Sequence, residues 1–252
     1  MGQVSKDTFI CLDCESTGLN VEQDRIIEIA LVKFTFEKKI IESFETLINP
    51  ECIIPEEAKA IHNISYSMVE NKPLIQEILP QIFNMLDSYP IVGHGISFDI
   101  NLIKHEAKRT KVPCNLKNTL IDTLRLARLY GNSPINSLEK LREHFHIEQT
   151  KAHRAMNDVL VNIEVFKKLA QSFNTTEDLV ARLKRPILLN TMPLGKYKGQ
   201  KFSNIPIEYL LWAANMHFDE DLLFSINTEI KNREKTKNFE RSVNPFSVLD
   251  SE

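Results

Sequence analysis

Three apolar, β-rich stretches crowd into the first fifty residues with only short polar gaps between them. Residues 7–14 are the first, RIIEIALVKF (25–34) the second and IIESFETLIN (40–49) the third, with polar turns at 20–24 and 35–39. Turns that short fit antiparallel neighbours best, so the chain is expected to open with three strands of one sheet. PEEAKAIH (55–62) then places a proline at a helix start with acids in the first turn. PLIQEILPQIFNML (73–86) has apolar residues at helical spacing, with Pro80 as an expected kink. PIVGHGI (90–96) reads as a short buried strand and FDINLIKHEAKR (98–109) as a helix. LIDTLRLARLY (120–130) starts like a strand and ends like a helix. SLEKLREHF (137–145) puts Leu138, Leu141 and Phe145 on one face. An apolar stripe at positions 155, 159, 163, 166 and 170 predicts a long helix to about Gln171. Strands mixed with amphipathic helices make an α/β fold the expectation.

The composition shifts after that helix. SFNTTEDLV (172–180) is polar and marks a boundary, and residues 179–207 hold six Lys or Arg with no Asp or Glu. GKYKGQKF (195–202) reads as a glycine-bounded hairpin, followed by helices over 205–216 and 219–230. Trp212, the only tryptophan, sits among Leu210, Leu211 and Ala213 and is expected in a core. The expected organisation is a main domain over 1–173, a linker over 174–190, a small C-terminal α+β unit over 191–232 and a disordered tail over 233–252. No run of eighteen apolar residues is present, so no membrane span is expected. An acidic residue interrupts the N-terminal stretch before any signal-peptide core, and four cysteines make no disulfide framework, so cytoplasm is the expected compartment. The net charge of −3 means that any nucleic-acid binding must come from local basic patches or bound metal.

FICLDCESTGL (9–19) interleaves two cysteines with two carboxylates. A zinc site needs a second close Cys or His pair, and Cys52 and Cys114 are isolated. Cys11 and Cys14, three apart on a strand, point to opposite faces. Asp13 and Glu15 are two apart, hence on one face of an extended chain and about 7 Å apart along it. Acids projecting together from an apolar strand call for a cation. The alternative is that the strand ends by Asp13 and both acids are solvated before a Ser16-Thr17-Gly18 turn. Asp99 follows a buried strand, where an acid can face the crevice at a sheet's end or simply favour a helix N-terminus. In KAHRAMNDV (151–159), His153 precedes Asp158 by five residues. Five residues on a helix turn through about 140°, so the two meet at one site only if His153 lies on the loop before the helix.

The motifs LDCESTGL (12–19), GHGISFDINLI (93–103), IDTLRLAR (121–128) and AHRAMNDV (152–159), in this order, resemble the DEDDh family of 3′→5′ exonucleases, as do RIIEIALV and IPEEAKAIHNIS. The resemblance covers about residues 7–171. It implies a ribonuclease-H-like mixed sheet flanked by helices and hydrolysis of phosphodiesters with two Mg²⁺ or Mn²⁺ ions. It makes Asp13, Glu15, Asp99 and Asp158 metal ligands and His153 the general base. It implies that Ser16, Thr17, Gly18, Leu19 and Phe98 bind the terminal nucleotide, although Leu19 and Phe98 also read as plain core residues. The expected substrate is a 3′ end of single-stranded DNA, in proofreading or repair. RNA trimming stays open, as do a DNA polymerase partner and a non-catalytic binding module. One departure stands out: this chain has Gly95 after His94 where the family commonly has Asn, which bears on substrate positioning and not on metal binding. MPLGKYKGQKFSNIPIEYLLWAANM (192–216) resembles a small uncharacterised domain attached to some nucleases of this type.

Overall fold

The computed structural model describes residues 3–37, 40–133, 135–148, 154–216 and 218–243, with side chains as far as Thr236. The three opening stretches form β1 (Phe9–Ser16), β2 (Ile26–Phe34) and β3 (Glu42–Leu47), each antiparallel to the next. Helices α1 (Glu56–His62), α2 (Tyr66–Val69) and α3 (Ile75–Leu86) lead to β4 (Ile91–Gly93), α4 (Ser97–Thr110) and β5 (Leu120–Asp122). The segment 120–130 divides as its composition suggests, passing from β5 into α5 (Thr123–Tyr130). Then come α6 (Leu138–His144), α7 (Ala155–Ala170) and α8 (Thr176–Leu183). The five strands form one mixed sheet in the order β3-β2-β1-β4-β5, with β1 antiparallel to β2 and parallel to β4. Helix α3 continues through Pro80, which sits on its exposed side, where water can satisfy the carbonyl that loses its N–H partner.

β1 lies at the centre of the sheet, and Phe9 to Leu12 are fully buried. Its alternating side chains divide between two cores. Phe9 and Cys11 join α5, α6, α7 and α8 on one face, and Ile10 and Leu12 join α3 and α4 on the other. On the first face, Phe9 and Phe36 meet Phe166 of α7 edge-on, at centroid distances of 5.2 and 5.6 Å. Such contacts add to area burial and fix how α7 lies on the sheet. The sequence's expectation of Cys11 and Cys14 on opposite faces agrees with their membership of different cores.

The chain divides into two compact units between Lys184 and Arg185. The expected linker over 174–190 is therefore corrected. Its first half folds as α8, with Leu179 and Leu183 buried in the core of the first unit. Val4 N donates to Asn174 O at 3.1 Å, Thr176 Oγ1 to Asp7 Oδ2 at 2.6 Å, and Arg125 Nη1 to Leu183 O at 2.5 Å. The polar composition of 172–180 reflects a Thr175 cap and an exposed face, not a flexible join.

The second unit packs Met192, Phe202, Ile205, Leu210, Ala213, Leu222, Ile226 and Ile230 together, using α9 (Ile207–Ala213) and α10 (Glu220–Val243). In place of a stranded hairpin, residues 191–201 make a closed loop with a single bridge, Thr191 to Lys201. Gly195 and Gly199, at φ +73° and +83°, supply the left-handed turns. Helix α10 runs to Val243, beyond the expected start of a disordered tail. Arg233 anchors this stretch, pairing with Glu229 at 2.8 Å and donating to the carbonyls of Phe202 and Ser203. Polar composition alone does not separate a solvated helix from a disordered tail. The remainder of the expected tail, 244–252, lies outside the described residues.

A chain ending at Lys184 is expected to keep the stability of the first unit, whereas one ending at Ser172 loses the burial of Leu179 and Leu183. At about 1.5–3 kcal/mol per buried leucine, the shorter chain should lose about 3–6 kcal/mol. Urea unfolding of the two truncations measures this, and equal midpoints would refute the assignment of α8.

Candidate active site

β1 changes character along its length. After Leu12 it emerges from full burial, and Asp13 and Glu15 project from the face that packs α7. Both acids are still in the ladder, Asp13 opposite Ala30 and Glu15 opposite Glu28, and the register breaks only between Glu15 and Ser16. The alternative of a strand that ends by Asp13 does not hold. Helix α7 carries Asp158 in its first turn, and carboxylate oxygens of Asp13, Glu15 and Asp158 lie within 4.8 Å of one another. Asp99, buried in the first turn of α4, accepts the backbone N–H of Cys14 at 3.0 Å, one residue from Asp13.

These acids strain one another electrostatically. Removal from water pushes the Asp13 carboxyl well above its usual range, and the charges of Asp99, Asp158, Glu15 and Glu28 push it further. Glu15 is pushed up to about 7, first by burial and then by Asp158 and Glu28, with Arg154 pulling the other way. Asp99 is pushed up to about 7 by burial, against the stabilising hydrogen bond from Cys14. Oxygen donors crowded in this way suit a small, hard divalent cation, which relieves both the repulsion and the lost hydration.

Glu28 sets the position of α7. It is fully buried, and its carboxylate accepts from Arg154 Nε at 3.0 Å, from Arg154 Nη2 and from Ala155 N at 3.1 Å. Ala155 opens α7, so one carboxylate both pairs with the preceding arginine and satisfies a free N–H at the helix start. The place of Asp158 follows from that anchor. Sequence reasoning passed over Glu28. Its signal was a lone acid inside the apolar run RIIEIALV.

The turn after β1 is built with similar care. Ser16 Oγ donates to Gly18 O at 2.7 Å, and Thr17 Oγ1 donates to Asp24 Oδ1 at 2.8 Å and accepts from Arg25 N at 3.0 Å. A Cβ on Gly18 would lie 2.5 Å from Asp24 Oδ2, so glycine permits the close approach. Buried Glu106 of α4 holds the far side of this loop. It accepts from Arg25 Nε at 2.9 Å and from Ile26 N at 3.2 Å, and pairs with Arg109 at 3.1 Å. Leu19 is 87% exposed, so it is not a core residue. Phe98 is half-buried against the α3–α4 core. His153 lies outside the described residues.

Two polar clusters flank the acids. His94 Nδ1 lies 3.1 Å from Thr123 Oγ1, which donates to Asn162 at 2.6 Å, and burial pushes the His94 pKa down to about 4. Gly95 has φ +74° and donates its N–H to Asp122 Oδ1 at 3.0 Å. Glycine adopts that left-handed conformation without the strain of a Cβ. Cys11 Sγ lies 3.6 Å from Val159 O. Burial, followed by neighbouring acids, raises the pKa of both Cys11 and Cys14, so neither is disposed to form a thiolate.

The family described as Exonuclease matches residues 10–166. A second family, described as Putative quorum-sensing-regulated virulence factor, matches residues 182–228. The chain is 37% identical over 164 residues to a DNA polymerase III PolC-type of Caldanaerobacter subterraneus, covering 65% of this chain and 12% of that protein. It is 33% identical over 166 residues to the DNA polymerase III subunit epsilon of Aquifex aeolicus, covering 65% of this chain and 81% of that protein. Among solved structures, Exonuclease X in complex with 5′ overhanging duplex DNA aligns with a TM-score of 0.57 at 25% identity, covering 70% of this chain and 99% of that one.

In EDTA, the thermal midpoint should fall as pH rises from about 5 to 8. Glu15 and Asp99 have folded values of about 7 against ordinary values of 4.5 and 3.8, so the native state holds protons that the unfolded state has already released. Their protonated forms therefore favour folding, and that advantage is lost as pH climbs through about 7. Asp13→Asn should raise the midpoint at pH 8 and flatten the slope, and a metal-free midpoint that rises with pH would contradict this. Glu28→Ala should cost about 2–3 kcal/mol in urea unfolding. That is below the ~3–5 kcal/mol of a wholly buried pair, because Arg154 is partly exposed and can rehydrate.

Proposed function

Because this chain belongs to the Exonuclease family, we propose that it removes nucleotides one at a time from the 3′ end of single-stranded DNA, in proofreading or repair. The observation that carries this reading is the convergence of Asp13, Glu15 and Asp158 from β1 and α7, with Asp99 beside them on α4. On this reading Asp13, Glu15 and Asp158 would hold Mg²⁺ or Mn²⁺ ions, Glu15 and Asp158 on the side of the attacking water, and Asp99 would support them. Such ions would supply charge relief on the phosphate oxygens and make a water more acidic. His153, just before α7, takes the proton from that water, and it must be neutral to do so, so cleavage falls as pH drops below its pKa. The Ser16–Leu19 turn holds the terminal sugar through the backbone of Thr17 and Gly18. Exposed Leu19 and half-buried Phe98 pack on the terminal base.

DNA as substrate draws support from relatives named as components of DNA polymerase III and from a structural neighbour in complex with DNA. A DNA polymerase is accordingly the protein partner to test, and the cytoplasm the proposed compartment. Among the described residues, no helix is long and apolar enough to cross a membrane.

Equal-sequence DNA and RNA strands labelled at the 5′ end, incubated with Mg²⁺, Mn²⁺ or EDTA, give the test. The DNA strand should shorten to a ladder of single-nucleotide steps with either metal and stay intact in EDTA. A bulky 3′ block should stop the reaction, and Asp13→Ala should reduce it to the EDTA level. Faster loss of the RNA strand would transfer the reading to RNA trimming. Internal fragments from a circular single strand would replace it with an endonuclease.

A further inference from the structure

The second unit exposes its tryptophan where the sequence suggests core. Helix α9 turns Leu210 and Ala213 inward and leaves Trp212 half exposed, which corrects its expected place. Tyr209, three residues earlier, shares the side of the helix that Trp212 occupies, and their ring centroids are 5.2 Å apart. Tyr197, from the 191–201 loop, meets Tyr209 at 4.7 Å. Three rings thus run in series from the loop to the outer face of α9, Tyr197 and Tyr209 half-buried against the core and inclined at 71°, and Tyr209 and Trp212 at 45°, with Trp212 the exposed end. The Lys196 ammonium lies 5.5 Å from the Tyr197 centroid, at the end of the series opposite Trp212.

The loop that presents Tyr197 is tied back on itself. Met192 N donates to Gln200 O at 2.9 Å, and Gly199 N donates to Met192 O at 2.7 Å. A Cβ on Gly195 would come within 3.0 Å of the Tyr209 hydroxyl, so glycine lets the loop close against that ring. The platform is therefore held in place before any ligand arrives, which lowers the entropy lost on binding. Lys196, Lys198 and Lys201 are exposed on this one loop. The exposed acid nearest in sequence is Glu208, so the loop lysines outnumber it three to one.

We propose that Tyr197, Tyr209 and Trp212 form a base-stacking platform for single-stranded nucleic acid, with the loop lysines holding its phosphates. Rings beside cationic side chains complement a strand that alternates flat bases with anionic phosphates. Positive charge gathered here, in a chain whose net charge is −3, favours this ligand over an apolar protein surface. The choice of ligand rests on the exonuclease reading, and it deepens that reading by giving the second unit an affinity of its own for nucleic acid.

Trp212 is the chain's only tryptophan, so its emission reports on the platform directly. The full chain in EDTA is titrated with a thymidine oligonucleotide of about 16 nucleotides, and with an abasic strand of equal length and charge. The thymidine strand should quench the emission, and the abasic strand should not. By fluorescence anisotropy, Trp212→Ala should weaken binding of the thymidine strand about 5- to 100-fold. Trp212→Phe should keep most of the affinity, and Tyr209→Leu supplies a second variant that retains the reporter if Trp212→Ala fails to fold. Binding by anisotropy with unchanged emission would overturn the proposal, as would the absence of binding altogether. Emission that depends only on protein concentration, with self-association lost in Trp212→Ala, would assign the surface to a second copy instead. The two readings also fail separately: quenching without any cleavage ladder would leave the platform standing and sink the exonuclease, and a ladder without quenching would do the reverse.

Discussion

Four carboxylates pressed together where β1 emerges from the core repel one another, and much of the first unit can be understood as what holds them there. Asp13 and Glu15 cannot spread apart because both remain in the ladder with β2. Asp158 cannot retreat because Phe166, two turns along the same helix, is wedged among Phe9, Phe34 and Phe36. Asp99 is fastened by the Cys14 N–H. Rigid elements thus maintain, at a cost in local stability, an arrangement that charge alone would disperse.

Two further buried acids serve the scaffold. Glu28 is paired with Arg154 and Glu106 with Arg25 and Arg109, and each carboxylate also accepts a backbone N–H. The contrast with the site is one of partners. Where an arginine and an amide meet a buried carboxylate, its charge is neutralised in place. At the site, Asp13 and Glu15 are crowded chiefly by other acids, so the repulsion is left for a ligand to relieve.

Much of this was legible in the sequence because it rests on local spacing. The two-residue interval of Asp13 and Glu15, the short turns between strands and the apolar stripe of α7 are all contained in single segments. The scaffold acids were not legible, because Glu28 finds its arginine 126 residues away and Glu106 finds Arg25 81 residues away. Helix α8 was hidden by its polar outer face. Trp212 was misplaced because the sequence around it is apolar throughout, and only the packing of α9 decides which side turns inward. His153 was read from its motif, and its position lies outside the described residues.

The anchoring of α7 by Glu28 ties the site to the alignment of two strands. Side chains alternate along β2, so a slip of one residue against β1 would turn Glu28 to the α4 side and leave the start of α7 without its carboxylate. The loop from Thr17 to Arg25, laced through Asp24 and Glu106, holds that register from one end. Lengthening this loop would therefore change more than a surface feature: it would loosen the indexing between strand and helix on which the spacing of the acids depends. The β1–β2 turn is in this sense a ruler for the carboxylate cluster, and its length is bound to the spacing of the acids.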